Sequence, residues 1–264
     1  MIPVLDLRGG RAVLARGGQR ETYAPVRSQL LPAGAAGDAL ALARAYRATL
    51  GCDECYVADL DALAGGAMQR ASLRALAGLA EGGRLLVDAA VATPDRAREL
   101  LADGAERAVV GLETLPSFDA LAAVARAIGP QRVVFSLDLR AGVPLVLAGG
   151  DTPLSRTPLA LARAAVAAGA AAILVLDLAC VGSGRGVDLR LVEALRRAHR
   201  DVELLAGGGV GTARELERLA DAGLDGVLVA TALHDGRLQR DDIAAVRRRG
   251  RGAPGRAAHP SDSR

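Results

Sequence analysis

The feature that most constrains the fold is an internal repeat, in which the second half of the chain resembles the first. The run Leu-Asp-Leu-Arg-Gly-Gly at 5–10 recurs as Leu-Asp-Leu-Arg-Ala-Gly at 137–142, 132 positions later. The run Leu-Leu-Val-Asp-Ala-Ala-Val-Ala-Thr at 85–93 recurs as Leu-Leu-Ala-Gly-Gly-Gly-Val-Gly-Thr at 204–212, 119 positions later. Matches that recur in the same order in both halves indicate a domain built from two similar halves.

Each half alternates short apolar runs with longer segments of helical period that are rich in Ala, Leu and Arg. The predicted strands cover 2–7, 54–60, 84–88, 107–111, 133–139, 172–178, 203–207 and 226–230. The predicted helices lie near 37–50, 69–80, 94–103, 116–128, 157–168, 188–199, 212–222 and 240–248. This α/β order predicts a closed (β/α)8 TIM barrel made of two (βα)4 half-barrels over residues 1–246. We expect residues 247–264 to be a disordered tail rich in Arg, Gly, Pro and Ser.

Charge and composition exclude several classes of protein. The six arginines of 247–264 outweigh Asp262 and give that segment a net charge of +5, so the total of +3 leaves −2 for the rest. Residues 1–246 are therefore mildly acidic, and the chain has 2% aromatic residues. It lacks the basic surface and the stacking side chains that nucleic-acid-binding domains use. All 33 basic residues are arginine, so no lysine is available for a Schiff base. The three histidines are scattered and lack the spacing of zinc ligands.

Cysteine usage and the start of the chain indicate a cytoplasmic protein. Three cysteines do not form a disulfide framework, and we interpret the C-x-x-C pair Cys52 and Cys55 as small residues before a strand. The chain has neither a signal-peptide pattern nor an apolar run of membrane-spanning length. We therefore expect no membrane partner, and the sequence leaves the oligomeric state open.

Acidic residues occur where the predicted strands end, which is where the active site of such a barrel lies. Asp6 and Asp138 are equivalent in the repeat, so we expect them on opposite sides of one pocket and propose them as the catalytic pair. Burial and neighbouring negative charge raise a carboxyl pKa, so one acid can donate a proton while the other accepts one. The alternative is that each acid caps a helix or pairs with Arg8 or Arg140. The candidate substrate-binding residues are Arg8, Asp59, Asp88, Glu113, Arg140, Asp177, Gly182 and Ser183.

A glycine run after the seventh strand predicts a phosphate site. Gly207, Gly208 and Gly209 would let backbone N–H groups approach a phosphate near a helix N-terminus, with Ala230 and Thr231 after the eighth strand as the second half. The alternative is a tight strand–helix turn. In the first half, Asp88 replaces the first glycine and Glu113 follows the fourth strand, so two acids oppose a second phosphate. The charges predict one phosphate site and an opposite end that favours a cation, hydroxyls or an amine.

These motifs resemble the HisA family, the isomerases of histidine biosynthesis. The resemblance rests on the Leu-Asp-Leu start, the half-barrel duplication, Leu-Asp-Leu-Arg on strand five, Gly-Gly-Gly-Val on strand seven and the run at 229–238, and it covers about residues 1–246. It implies an Amadori rearrangement of the bis-phosphate ProFAR, with Asp6 removing the sugar C2 proton and Asp138 as the acid that helps to open the ring. It also implies that the enzyme needs no metal or organic cofactor.

The sequence departs from the family at four loops. The strand-six loop, usually Asp-x-Ser-Arg-Asp-Gly-Thr, reads Asp-Leu-Ala-Cys-Val-Gly-Ser at 177–183, so the loop Asp of some members falls on Val181 and the preceding Arg on Cys180. Asp-Ala-Ala at 88–90 replaces the strand-three glycines, Gly-Leu at 111–112 replaces Gly-Ser, and Ala-Thr at 230–231 replaces the strand-eight Gly-Lys.

Three hypotheses about function follow from these residues. The first is a HisA-type phosphosugar isomerase that acts through Asp6 and Asp138. The second is a HisA-derived enzyme on a different monophosphate, with Asp88 and Glu113 recognising the far end of the substrate, and the loss of the second phosphate site favours it. The run Tyr-Val-Ala-Asp-Leu-Asp-Ala at 56–62 is similar to divergent relatives in methanogens and methylotrophs, which are associated with methanofuran and tetrahydromethanopterin metabolism. The third is a phosphate-binding barrel without catalysis.

Overall fold

Eight parallel strands close into a barrel. The computed structural model describes residues 1–15, 22–79, 84–151, 157–183 and 186–251. In chain order, barrel strands one to eight are Ile2–Arg8, Glu54–Asp59, Arg84–Asp88, Arg107–Gly111, Val133–Arg140, Ala172–Asp177, Glu203–Gly207 and Gly226–Val229. Each strand pairs with the next, and strand eight pairs with strand one through Ile2 and Leu228. The predicted (β/α)8 barrel is confirmed, and every strand boundary lies within one residue of its prediction.

Helices follow the strands and form the outer layer. The helices that cover the barrel are Ala39–Ala48, Arg70–Gly78, Pro94–Ala102, Phe118–Ile128, Pro158–Ala167, Leu189–Ala198, Ala213–Asp221 and Arg240–Arg251. Two single-turn helices, Leu60–Leu63 and Thr231–His234, and a 3-10 turn at Pro130–Arg132 lie in the loops. The predicted capping box is present, since the Thr212 hydroxyl accepts the Glu215 N–H and the Glu215 carboxylate accepts the Thr212 N–H.

Side chains alternate between the inside of the barrel and the layer beneath the helices, because successive residues of a strand point to opposite faces. On strand one, Ile2 and Val4 belong to the interior cluster, whereas Leu5 and Leu7 pack under the helices. Mainly aliphatic side chains therefore fill the barrel interior on the side of the amino ends of the strands. Acidic residues occupy the inward positions at the carboxyl ends of strands one, three and five, namely Asp6, Asp88 and Asp138.

Strands one and five each continue into a short antiparallel hairpin that the sequence analysis did not predict. Arg11–Leu14 pairs back onto strand one and with Ala24–Pro25, and Val143–Pro144 pairs back onto strand five. The two hairpins are related by the same 132-position offset as the repeat. They build the rim of the barrel at its carboxyl end.

The register of the strands reproduces the repeat in three dimensions. In the first half, Ala58 on strand two lies opposite both Asp6 and Asp88. In the second half, Leu176 on strand six lies opposite both Asp138 and Gly207. The equivalence of Asp6 with Asp138 is therefore structural, and Gly207 occupies the position in its half-barrel that Asp88 occupies in the other.

The last helix, Arg240–Arg251, extends past the predicted domain boundary at residue 246. The remainder of the predicted tail, 252–264, lies outside the described residues, so the disordered tail stays a prediction. In the described part of the chain, no helix has the length and apolar character required to cross a membrane.

Candidate active site

A cleft opens at the carboxyl ends of the strands and encloses about 990 Å³, including open solvent at its mouth. Four carboxylates line it, from the first, third, fourth and fifth strands or the residues just after them. They are Asp6, Asp88, Glu113 and Asp138. Among the described residues that line the cleft, Arg237 is the one cation, so the cleft carries an excess of negative charge.

Asp138 is a buried acid whose pKa is strongly raised. Its side chain is 3% exposed, its Oδ1 accepts the Ser136 hydroxyl at 2.6 Å, and its Oδ2 accepts the Glu113 N–H at 3.2 Å. Burial, followed by the charges of Glu113 and Asp88, raises the pKa of Asp138 from its usual 3.8 to about 8, against the opposing effect of these two hydrogen bonds. Asp138 therefore holds a proton at neutral pH.

Gly111 on strand four lets two of the carboxylates approach each other. A Cβ atom at Gly111 would lie 3.0 Å from Oδ2 of Asp138 and 3.7 Å from Oδ2 of Asp88. Any side chain here would intrude between the two acids. The glycine thus maintains the close approach that raises the Asp138 pKa.

Tyr56 places a phenol among the acids. It points into the barrel from strand two, and its hydroxyl donates to Oδ2 of Asp88 at 3.5 Å. Burial, followed by the charges of Asp88, Asp6, Asp138 and Glu113, raises the pKa of Tyr56 well above its usual value of 10. Tyr56 therefore remains a neutral hydrogen-bond donor at the centre of the carboxylate cluster.

The opposite side of the cleft is formed by glycines and Arg237. Gly208 and Gly209 line it after strand seven, and Ala230 and Thr231 line it after strand eight. Gly207 itself has no room for a side chain, because a Cβ atom there would lie 3.0 Å from the Leu228 Cβ and 3.1 Å from the Leu176 Cδ1.

Arg237 lies next to this glycine turn. A Cβ atom at Gly211 would come within 2.6 Å of the Arg237 Nη1, and the Arg237 Nε donates to Asp235 at 2.8 Å. The ion pair with Asp235 orients the guanidinium toward the cleft. The positive charge therefore lies at the glycine-rich side of the cleft.

Two backbone donors just before the helix that follows the glycine turn are occupied. The N–H groups of Gly211 and Thr212 donate to the Glu215 carboxylate at 2.9 and 3.0 Å. An anion at this helix N-terminus would therefore not bind these two groups. The residues that line the cleft here are Gly208 and Gly209, Ala230 and Thr231, and Arg237.

The described cleft brings together most of the predicted site residues. Gly182 also lines it, together with its neighbour Val181. Asp59 and Asp177 point away from it, because each lies one position beyond an inward-facing residue. Asp59 is fully buried and accepts N–H groups of Ala62 and Gln69.

Asp177 holds the hairpin turn after strand five. Its carboxylate accepts the Ala141 and Gly142 N–H groups at 3.0 and 2.8 Å. Both acids therefore stabilise loops. Four further candidates are also absent from the residues that line the cleft, namely Arg8, Arg140, Ser183 and Gly207.

Sequence reasoning missed Tyr56 and Arg237. Tyr56 was visible as an inward position on strand two and as one of only three tyrosines in the chain, two of which (Tyr23 and Tyr56) line the cleft. Arg237 lies in a run that was noted for its resemblance, but its orientation depends on Asp235 and Gly211. Within the described residues, no three His, Cys, Asp or Glu side chains are arranged to hold a metal ion.

Comparison with known proteins identifies a family. A family model described as "Histidine biosynthesis protein" matches residues 1–239. The 1-(5-phosphoribosyl)-5-((5-phosphoribosylamino)methylideneamino) imidazole-4-carboxamide isomerase of Thermus thermophilus is 31% identical over 246 residues, which cover 90% of this chain and 96% of the relative. The isomerase of the same name from Sorangium cellulosum is 34% identical over 240 residues, which cover 89% of this chain and 94% of the relative. The imidazole glycerol phosphate synthase subunit HisF of Beutenbergia cavernae is 30% identical over 261 residues, which cover 94% of this chain and 95% of the relative.

Proposed function

This chain belongs to the histidine biosynthesis protein family, and on that premise we propose that it isomerises a phosphorylated aminosugar with Asp6 as base and Asp138 as acid. The observation that carries the proposal is the environment of Asp138, whose pKa is raised to about 8. A carboxyl group with that pKa is protonated at neutral pH and can give its proton to a substrate. Asp6 lines the same cleft from the equivalent position of the other half-barrel.

The proposed reaction converts an aminoaldose into an aminoketose. Asp138 donates a proton to the ring oxygen while the bond from that oxygen to C1 breaks and the nitrogen lone pair forms a C=N bond. Asp6 then removes the proton from C2, the electron pair of that bond forms a double bond between C1 and C2, and the C=N electron pair returns to nitrogen. Asp6 returns a proton to C1 while the C2 hydroxyl gives its proton to the ionised Asp138 and becomes a carbonyl, so the product contains the same atoms as the substrate and both acids regain their starting states.

The substrate phosphate would bind at the glycine-rich side of the cleft. Gly208, Gly209, Ala230 and Thr231 offer backbone groups there, and Arg237 supplies positive charge. An arginine can donate two parallel hydrogen bonds to a phosphate, which fixes orientation as well as distance. Anchoring the phosphate here would hold the sugar carbons between Asp6 and Asp138.

Two compounds test the proposal. ProFAR is the compound that the resemblance implies, and N-(5-phosphoribosyl)aniline is a simple aminoaldose with one phosphate. We expect the purified protein to rearrange at least one of them, with deuterium from D2O appearing at C1 by NMR. Asp6→Asn and Asp138→Asn should each lower kcat/KM by roughly 10²- to 10⁴-fold, the usual contribution of general acid–base catalysis.

The matched control is Asp119→Asn, which removes an exposed carboxylate on a helix outside the cleft. It should leave kcat/KM unchanged. The proposal is wrong if the folded protein rearranges neither compound, or if Asp6→Asn retains the wild-type rate.

A further inference from the structure

The repeat offers a direct comparison between the two ends of the cleft. Asp88 and Gly207 occupy equivalent positions, since each lies opposite the strand residue that also faces the catalytic Asp of its half-barrel. The turns that follow them agree in part. Ala90 has a φ of +53° and its equivalent, Gly209, has a φ of +74°, whereas Gly208 has a φ of +115° and its equivalent, Ala89, has no positive φ. The two ends therefore differ in side chains and in the first residue of the turn.

The backbone donors at the Asp88 end are already bonded to carboxylates. The Ala90 N–H donates to Oδ1 of Asp88 at 3.3 Å, and the Glu113 N–H donates to Oδ2 of Asp138 at 3.2 Å. At the Gly207 end, no side chain takes the place of the Asp88 carboxylate, because Gly207 has none. An anion that enters the Asp88 end would have to displace carboxylates from these amides.

The two ends differ in charge. Asp88 and Glu113 lie at one end, whereas Arg237 lies beside Gly211 at the other, with Asp235 and Glu215 as its neighbours. Coulomb repulsion between a phosphate and nearby carboxylates in a partly buried site is large compared with the same repulsion in water. A phosphate is therefore repelled more strongly at the Asp88 end than at the end that carries Arg237.

We infer that the cleft takes a substrate with a single phosphate, held beside Arg237, and that Asp88 is the specificity-determining residue that excludes a second phosphate from the opposite end. The substrate named for the related isomerases carries two phosphoribosyl groups. This chain would thus act on a different member of the same chemical class, one whose far end is uncharged or cationic. The inference rests on the proposed function only in taking this cleft as the active site.

Binding of inorganic phosphate tests the inference without any catalysis. Isothermal titration calorimetry should give one phosphate per chain, and Arg237→Ala should weaken that binding at least tenfold. A stoichiometry of two, or no binding at all, overturns the inference.

Selectivity between the two sugar phosphates tests the role of Asp88. The wild-type protein should bind N-(5-phosphoribosyl)aniline at least tenfold more tightly than ProFAR. The double variant Asp88→Gly/Glu113→Gln should shift that ratio at least tenfold toward ProFAR. The control Glu106→Gln/Asp119→Asn removes two exposed carboxylates and should leave the ratio unchanged. If the double variant does not fold, Asp88→Asn should shift the ratio in the same direction.

Two outcomes separate this inference from the proposed function. If the wild-type protein binds both compounds with equal affinity and its turnover depends on Asp6, the inference is overturned and the proposed isomerase function is supported. One bound phosphate and an Asp88-dependent ratio, without turnover of either compound, would overturn the proposed function and leave the inference intact.

Discussion

At the scale of single residues, the chemistry of the cleft follows from where charge is buried. Asp138 lies next to Glu113 and Asp88, and the cost of burying a third negative charge there keeps its proton in place. Tyr56 stays neutral for the same reason. Packing alone thus keeps a proton on Asp138, without any unusual residue type.

The raised pKa of Asp138 predicts a pH profile. Because Asp138 must be protonated to act as an acid, kcat/KM should fall as the pH rises through about 8, the pKa of this group. Well above that pH, the fall should approach tenfold per pH unit. The measurement is kcat/KM between pH 6 and pH 10 with whichever sugar phosphate is rearranged.

A substitution of Glu113 tests whether its charge contributes to the raised pKa of Asp138. Its charge is the largest contribution to the Asp138 pKa after burial, so Glu113→Gln should lower that pKa and move the alkaline limb to lower pH. Glu106→Gln, at an exposed position outside the cleft, should not move it. If the alkaline limb of the kcat/KM profile does not move in Glu113→Gln, a group other than Asp138 controls that limb.

At the scale of elements, the two hairpins show how one backbone is maintained by different sequences. The turn after strand one is Gly9-Gly10 and its equivalent after strand five is Ala141-Gly142, and all four residues have positive φ. Their N–H groups are held by Asp61 and Gln69 in the first half and by Asp177 in the second. The turn conformation is therefore required by the fold, although Ala141 adopts it at a cost in free energy.

The strain at Ala141 predicts a stabilising substitution. Ala141→Gly should raise the free energy of unfolding by about 0.5–1 kcal/mol, because glycine adopts a φ of +53° without the Cβ clash. Gly142→Ala, at a φ of +80°, should lower it by about 1 kcal/mol. Urea unfolding of both variants gives the two values, and a destabilised Ala141→Gly would contradict the argument.

At the scale of the whole molecule, the last helix completes the outer layer of the barrel. Arg240–Arg251 packs on Ala213–Asp221, buries Ile243, and donates from the Arg247 Nη1 to the Gly51 carbonyl at 2.8 Å. It therefore connects the end of the chain to the loop before strand two. The structural domain extends at least to the end of this helix.

Two truncations test that boundary. A chain that ends at Arg251 should keep its Tm within about 2 °C, because every described contact of the last helix is retained. A chain that ends at Gln239 should lose at least about 4 °C, because Ile243 and the contacts of the helix are lost. Thermal unfolding followed by circular dichroism measures both, and an equal Tm for the two chains would place the boundary before the last helix.

Three features could be predicted from the amino-acid sequence: the barrel, the half-barrel repeat and the equivalence of Asp6 with Asp138. These follow from local periodicity and from repeated motifs, which specify strands and their order before any packing is known. It also indicated that Asp88 and Glu113 oppose a phosphate, since the repeat puts Asp88 in the place of a glycine.

Which strand-end residues face the cleft depends on the three-dimensional structure. The register of the strands directs Asp59 and Asp177 toward the loops and Tyr56 toward the acids in the cleft. A shift of one residue would reverse these orientations, because successive side chains of a strand point to opposite faces. The proton on Asp138 and the orientation of Arg237 depend on neighbours that are distant in sequence, such as Glu113 for the first and Gly211 for the second. Burial and through-space charge decide such properties, and neither can be read from local order along the chain.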